Sequence, residues 1–139
     1  MPPNTQPLFT LTPNSIGVHI AASNTASDGS GSLVTLVTAG SNGTRVDSVT
    51  FRNAQTTAAA STAMVGRVFL SDASGANFRI VGEVAIAAAT RSTTVVGATS
   101  TITFAPSLFM KSGQLLSVAQ SVYAGAQDQN SVIAISGDY

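Results

Sequence analysis

Short runs of apolar residues that alternate with polar ones follow one another along the chain, which is the pattern of β-strands rather than of amphipathic helices. In the first run, 16–21, the residues Ile16, Val18 and Ile20 fall on one face. Comparable runs follow at 33–38, 44–52, 64–71, 78–86, 92–104, 115–123 and 131–136. We expect the run 92–104 to be broken near Gly97 into two short strands. The pattern therefore predicts about eight strands and no helix.

The segments between these runs are rich in Gly, Asn, Ser and Asp, which favour turns. Asn42-Gly43, within 39–43, is the strongest short signal for a β-hairpin. The run 33–38 is almost continuously apolar, which predicts a strand covered on both faces. We expect a loop over 106–113, and either a loop or a single helical turn over 53–63, whose sequence has no period.

Together these elements predict an all-β protein, a single-domain antiparallel β-sandwich. A jelly-roll-like topology is the first expectation. An immunoglobulin-like sandwich is the alternative, although the chain has neither the Cys nor the Trp of the antibody type.

Proline dominates the beginning of the chain. The four prolines concerned are Pro2, Pro3, Pro7 and Pro13. Because proline fixes φ and cannot donate to a sheet, we expect an extended arm over 1–14, followed by the sandwich domain over 15–139. Leu8 and Phe9 provide apolar groups with which this arm could dock, either on its own domain or on a neighbouring subunit.

Charge is scarce and balanced. Six basic and six acidic residues cancel, and charged residues make up 9% of the chain, where about 25% is usual. Such a chain lacks the basic footprint of a nucleic-acid binder, and without Cys it cannot be a disulfide scaffold or a zinc ribbon. The first residues of the sequence lack the pattern of a secretory signal peptide, and no apolar run is long enough to predict a membrane span. A neutral surface rich in Ala, Ser and Thr instead favours association with copies of the same chain.

Few residues could support catalysis. His19 is the only histidine, and it lies within a predicted strand on the face opposite Ile16, Val18 and Ile20. The chain contains no Gly-x-Ser-x-Gly element that would present a nucleophilic serine. We therefore expect no enzyme, and hence no catalytic residue and no cofactor.

The six carboxylates also have ordinary structural explanations. They are Asp28, Asp47, Asp72, Glu83, Asp128 and Asp138. Asp28, Asp72 and Asp128 lie in predicted turns, where Asp bonds to its own backbone. The strand residues Asp47 and Glu83 are expected to pair across a sheet with one of three arginines. Those arginines are Arg45, Arg52 and Arg79. No spacing matches a metal-binding loop, so we expect no metal site.

Aromatic residues are also too few to suggest a strong sugar site. The chain has no Trp, and most of its six Phe fall in or beside predicted strands. Tyr123 and Tyr139 are therefore the candidates for a stacking platform.

Several turn-rich segments are similar in sequence to segments of known proteins, among them Ser-Asp-Gly-Ser-Gly at 27–31 and Gly-Asp-Tyr at 137–139. The segments concerned are 1–14, 25–34, 38–47, 109–118 and 137–139. Together they resemble small proteins encoded in bacteriophage and prophage genomes, and the segment 109–118 is similar to a lead-in turn of trimeric β-sandwich proteins. In size and β content the chain also resembles the head decoration, or cement, proteins of tailed phages.

This resemblance implies a virion structural protein, a capsid decoration protein that stabilises the head lattice as a homotrimer. Its partners would be copies of itself and the major capsid protein, with neither nucleic acid nor membrane. It would be made in the host cytoplasm and lie on the phage head surface. The alternatives are a tail or head-fibre component and a carbohydrate-binding β-sandwich module.

Two segments and three arginines are the expected contact elements. The first segment is the arm, and the second is the loop 53–63. The individual residues expected to make contacts are Pro2, Pro3, Pro7, Leu8, Phe9, Arg45, Arg52 and Arg67. The arginines would face an acidic capsid surface.

Overall fold

The computed structural model of the protein describes residues 10–55 and 58–139. Within these residues the chain forms eight β-strands and one short 3-10 helix. The strands are β1 (Thr12–Ile20), β2 (Val34–Thr38), β3 (Thr44–Asn53), β4 (Met64–Leu70), β5 (Arg79–Ile86), β6 (Thr99–Met110), β7 (Leu115–Gln120) and β8 (Asn130–Asp138), and the 3-10 helix is Ala126–Asp128.

The strands form two four-stranded antiparallel sheets. Sheet one has the order β1-β8-β3-β6, and sheet two has the order β2-β7-β4-β5. Strand β1 pairs with β8, β2 with β7, β3 with β6 and β4 with β5, so the chain resembles one long hairpin. The further pairs β3–β8 and β4–β7 show that this hairpin is rolled up on itself.

This arrangement is the jelly roll, and it confirms the predicted all-β antiparallel sandwich. The immunoglobulin-like alternative is wrong, because that fold keeps its first two strands side by side in one sheet. Here β1 and β2 belong to different sheets.

The core lies between the two sheets and draws on both. Phe51 of β3, together with Val68 of β4 and Val118 of β7, is fully buried there. The ring of Phe51 lies on Gly66 of β4, where an added Cβ would stand 2.8 Å from the ring atom Cε1. A residue without a side chain is therefore required at this point for the sheets to approach each other.

The turn at 39–43 differs from its prediction. It is a turn, in which Gly43 has a φ of 98° and its N–H donates to the carbonyl of Gly40 at 3.0 Å. It does not close a hairpin, however, because it carries the chain from β2 in sheet two to β3 in sheet one. The local chemistry of Asn42-Gly43 was interpreted correctly, but the strand pairing inferred from it was wrong.

The apolar run 33–38 also has a different explanation. Strand β2 lies at the edge of sheet two, and its pairing with β7 shifts register between Thr35 and Val37. The extra residue, Leu36, is buried, and so is Val37 beside it. A β-bulge thus turns two consecutive apolar residues toward the interior.

The strand β6 extends through most of the loop expected over 106–113 and ends at Met110. Its pairing with β3 jumps from Val46↔Leu108 to Ser48↔Thr103, so Pro106 lies in an irregular stretch of an edge strand. Proline is tolerated in such a place because no ladder hydrogen bond is lost. At the other end, 92–98 contains no strand, contrary to the prediction.

The beginning of the sandwich lies earlier than expected. Thr12, Pro13 and Asn14 were assigned to the arm 1–14, but they form the start of β1 and pair with the end of β8. Pro13 stands opposite Gly137 in an edge strand, where a proline is permitted. Five expected contact residues lie outside the described residues. They are Pro2, Pro3, Pro7, Leu8 and Phe9.

Candidate functional site

The outer face of sheet two is covered by the protein itself. Phe69 and Ala119 point away from the core, because their neighbours Val68 and Val118 point into it, and yet they are 0% and 1% exposed. The connection between β1 and β2, residues 21–33, lies on this side of the sandwich. Arg67, which is in register with Ala119 on this face, donates to carbonyls of the connection, so the connection covers at least this part of the face.

Specific hydrogen bonds hold this connection in place. Asn24, itself buried, donates its side-chain amide to the carbonyls of Ser30 and Ser32 at 2.8 and 3.0 Å. The guanidinium of Arg67, on the outer face of β4, donates to the carbonyls of Asn24 and Thr25 at 3.3 and 3.2 Å. The connection is thus organised by Asn24 and is held to sheet two by Arg67 and by a backbone hydrogen bond of 2.8 Å from the N–H of Asn24 to the carbonyl of Gln120.

The outer face of sheet one has no such cover among the described residues. Its central strand β8 presents Ile133 and Ile135, which are 40% and 48% exposed. The residues in register with them on the neighbouring strands are small and uncharged. They are Gly17, Thr50 and Thr101 in one row and Ser15, Ser48 and Thr103 in the next. We refer to these two rows, with Ile133 and Ile135, as the open face.

An aromatic pair stands at one end of the open face. The rings of Phe109 and Tyr139 are stacked, with centroids 6.3 Å apart and planes inclined by 19°. Phe109 is 61% exposed and is in register with Arg45 of β3. Stacked and exposed rings of this kind are common anchors of protein interfaces. Of the two tyrosines considered for a platform, Tyr139 takes part in this pair.

Arg45 is occupied within the chain. Its Nε lies 2.7 Å from Oδ1 of Asp47. Arg45 is one of the expected partners of Asp47, but the two lie on the same strand, so the expected pairing across a sheet is wrong for Asp47. The hydroxyl of Ser107 donates to the same oxygen at 2.6 Å. The hydrogen bond from Ser107, followed by that from Arg45, lowers the pKa of Asp47 below its ordinary value.

Arg67 also forms an ion pair within the chain, and its partner is Glu83. The two stand directly opposite each other on β4 and β5, with Nε 2.8 Å from Oε1. The expectation that Arg45, Arg52 or Arg79 would pair with Glu83 is therefore wrong. The reason is the strand register, which the sequence does not specify.

Arg52 differs from the other two arginines expected to make contacts. It is exposed at the opposite end of sheet one from Phe109, in register with His19 of β1 through Ser131 of β8. Within the part of the chain that the structure describes, it forms no ion pair. It lines a cavity of about 430 Å³ together with Arg91. Arg91 was missed in the sequence because the segment after it was interpreted as a strand.

The carboxylates mainly accept hydrogen bonds that hold turns and loops of the fold together. Asp72 accepts bonds from the N–H groups of Ser74 and Ala76 and from the side chains of Ser74 and Asn77, which hold the turn after β4. Hydrogen bonds, first that of the Ser74 hydroxyl and then that of Asn77, place the pKa of Asp72 far below its ordinary value. Asp28 has a lowered pKa for the same reason, through Ser30.

The two acidic residues nearest the end of the chain join distant segments. Asp128 accepts the N–H of Thr62 at 2.7 Å and that of Ala124 at 2.8 Å while fully buried. Asp138 accepts bonds from the side chains of Asn14 and Thr44. Within residues 10–55 and 58–139, no three acidic or histidine side chains come together in a way that could hold a metal ion.

The loop 53–63 can be followed in its described part only. Asn53 is the last residue of β3, and residues 54, 55 and 58–63 belong to no helix or strand. Ser61 attaches this segment to Ala89 through a backbone hydrogen bond of 2.8 Å. In the described part of the chain, no helix is long and apolar enough to cross a membrane.

Comparison of the chain with known proteins found no match to any protein-family model. No curated protein sequence matches it either.

Proposed function

We propose that this protein is a virion structural protein of a tailed phage, a capsid decoration protein that assembles into homotrimers on the head surface. The observation that carries the proposal is the open face, where Ile133 and Ile135 are half-exposed at the centre of a sheet. The low charge of the chain supports the same conclusion, because a nearly neutral surface favours association.

The contrast between the two outer faces indicates that the open face is a contact surface. Sheet two buries Phe69 and Ala119 beneath the chain's own connection, whereas sheet one leaves its two isoleucines in solvent. Exposed apolar groups at the centre of a flat surface mark protein contacts more often than free surface. A second copy or a capsid subunit would complete what the described chain leaves open.

The size of the open face favours repeated weak contacts over one strong contact. Four strands about 4.8 Å apart, with about 25 Å of their length, give a face of about 500 Å². Packing this face against an equal area of a different surface on a partner would bury about 1,000 Å² in total, below the roughly 1,600 Å² of a standard interface. Such a contact becomes effective when many copies bind one lattice, because each engaged copy raises the effective concentration of the next site.

The arginines contribute less to this proposal than the sequence suggested. Arg45 and Arg67 form ion pairs with Asp47 and Glu83, and Arg67 also holds the connection over sheet two. Arg52 remains a candidate for an acidic group of the major capsid protein. At the other end of the open face, Phe109 and Tyr139 provide an aromatic anchor for the same partner.

An Ile135→Asp variant tests the proposal, with Thr35→Asp as the matched control. Thr35 is an exposed residue of the other sheet, so both variants add one carboxylate to a strand. Light scattering should give a trimer mass for the wild type and the control, and a lower mass for Ile135→Asp. Co-sedimentation with heads assembled from the capsid protein of the same genome should show binding that is lost in the same variant. A wild type that is monomeric and does not bind heads would refute the proposal.

A carbohydrate-binding module is the second candidate, favoured by the stacked pair of Phe109 and Tyr139. Exposed rings can stack on the apolar face of a sugar. A glycan array probed with wild type and with Phe109→Ala would decide this. Binding that is lost in the variant, together with a failure to bind heads, would favour the module.

The position of the protein on the virion is a separate question. A tail or head-fibre component is the alternative within the virion class. Immunogold labelling of virions would place the protein on heads for the decoration role and on tails or fibres for the alternative.

A further inference from the structure

The segment 91–97 stands against the end of sheet one and forms one wall of a cavity of about 430 Å³. The opposite wall is made by Arg52 and Asn53 of β3 and by Thr99 of β6. From this cavity and its two arginines we propose a binding site for an acidic monosaccharide unit, a sugar that carries a carboxylate. The argument for this site does not use the role on the capsid, although Arg52 is a candidate contact residue in both proposals.

The wall is held in a defined conformation. The hydroxyl of Ser92 accepts the N–H groups of Thr94 and Val95 at 3.2 and 3.1 Å, and the N–H of Ser92 donates to the carbonyl of Val95 at 3.0 Å. At the other end, Gly97 lies so close to β3 that an added Cβ would stand 2.7 Å from the carbonyl oxygen of Asn53. The Ser92 turn within the segment and the close approach of Gly97 to β3 restrict its conformation, which reduces the freedom that it would lose when a ligand binds.

The charged residues that line the cavity favour an anionic ligand. Arg52 and Arg91 both line it, and no carboxylate does. The ion pairs found among residues 10–55 and 58–139 are those of Arg45 and Arg67, so neither lining arginine has an acidic partner there. A carboxylate bound in this cavity would accept charge-assisted hydrogen bonds from the guanidinium groups that line it.

Size and polarity narrow the class of ligand. A carboxylate alone would leave most of a cavity of 430 Å³ unfilled, whereas that volume lies in the range of small-molecule sites. Hydroxyl side chains at Thr93 and Thr99 can exchange hydrogen bonds with sugar hydroxyls. The side chains of Val95 and Val96, 52% and 87% exposed, offer apolar contact to one face of a sugar ring. A carboxylate, several hydroxyls and one apolar face together describe a sugar acid.

The test is a titration of the full chain with D-glucuronate at low ionic strength, followed by amide chemical shifts. D-glucose and inorganic phosphate are the comparison ligands. We expect saturable binding of glucuronate, with shifts at Val96, Gly97 and Thr99, and at least tenfold weaker binding of both other ligands. If glucose binds as tightly as glucuronate, the site does not select an anion and the proposal is refuted. If phosphate binds as tightly as glucuronate, the site does not recognise a sugar and the proposal is likewise refuted.

The variants Arg52→Gln and Arg91→Gln should each weaken glucuronate binding about tenfold, the loss of one charge-assisted contact. Arg79→Gln is the matched control, because it removes an exposed arginine that does not line this cavity. Thermal unfolding of all three variants should match the wild type, which separates lost binding from lost folding. No saturable binding by the wild type, or an equal loss in Arg79→Gln, would refute the proposal.

Discussion

Asp128 is a fully buried carboxylate that joins two loops at one end of the sandwich. Its two oxygens accept the N–H of Thr62, just before β4, and the N–H of Ala124, just after β7. Within the described chain no arginine or lysine forms an ion pair with it. The hydroxyl of Thr62 also donates to the carboxylate, at 3.5 Å. Because the two shorter bonds come from backbone groups, substitution with alanine would leave two N–H groups without their acceptor.

The cost of that change follows from the two bonds. A hydrogen bond to a charged group contributes about 1.5–3 kcal/mol, so Asp128→Ala should lower the free energy of unfolding by about 3–6 kcal/mol. For a chain of this length, 1 kcal/mol corresponds to about 3 °C in the melting temperature. We therefore expect a fall of about 10–18 °C. Asp128→Asn keeps one carbonyl oxygen and should lose about half as much.

Urea unfolding and calorimetry of both variants would measure these differences, with an unchanged slope of free energy against urea as the check on two-state behaviour. Asp28→Ala is the matched control, because Asp28 lies on an exposed loop and accepts local hydrogen bonds from the N–H and the hydroxyl of Ser30. It should shift the melting temperature much less. An Asp128→Ala protein that unfolds at the wild-type urea concentration would show that the two loops are not held by this carboxylate.

Three other changes follow from the structure. Gly66→Ala places a methyl group against the Phe51 ring and should destabilise the protein by about 1–3 kcal/mol in urea unfolding; an unchanged midpoint would contradict this packing. Asp72→Asn should lower the melting temperature at pH 7. Because the folded pKa of Asp72 lies below its unfolded value near 3.8, the deficit should be constant above about pH 5 and shrink as the pH falls below 3.8; a deficit independent of pH would contradict the lowered pKa. Arg67→Met should speed amide exchange in 23–32, whereas Glu83→Gln should not, because of these two residues Arg67 is the one that donates to that connection; equal exchange in both variants would show that the arginine does not help to hold it.

The strands were predictable because alternation is a local property. In β3, Val49 and Phe51 alternate with polar residues, and the structure buries both. The sheet to which each strand belongs could not be predicted from the sequence in the same way. Asn42-Gly43 makes the same tight turn whether the chain doubles back within a sheet or crosses to the other one. The pairing of the whole rolled hairpin decides between these outcomes, and it depends on contacts far apart in sequence.

The candidate site was predictable only in part, because side-chain partners depend on register. Arg45 was among the arginines expected to pair with Asp47, but the pair forms within strand β3 and not across the sheet as expected. Arg67 and Glu83 meet because β4 and β5 align them, and one step of slip would separate them. Arg91 was missed because nothing local distinguishes a Ser-Thr-rich strand from the turn that its neighbour Ser92 organises.

The apolar run in β8 links the sequence to the proposed contact surface. Val132, Ile133, Ala134 and Ile135 are consecutive, a pattern typical of a strand covered on both faces. The inner pair is fully buried, whereas the outer pair, Ile133 and Ile135, is 40% and 48% exposed. In β7 the corresponding outer residue Ala119 is buried, because the β1–β2 connection covers that sheet. The outer apolar residue of β7 is thus covered within the described chain, whereas the outer isoleucines of β8 are not. This difference supports the proposal that another subunit covers the open face.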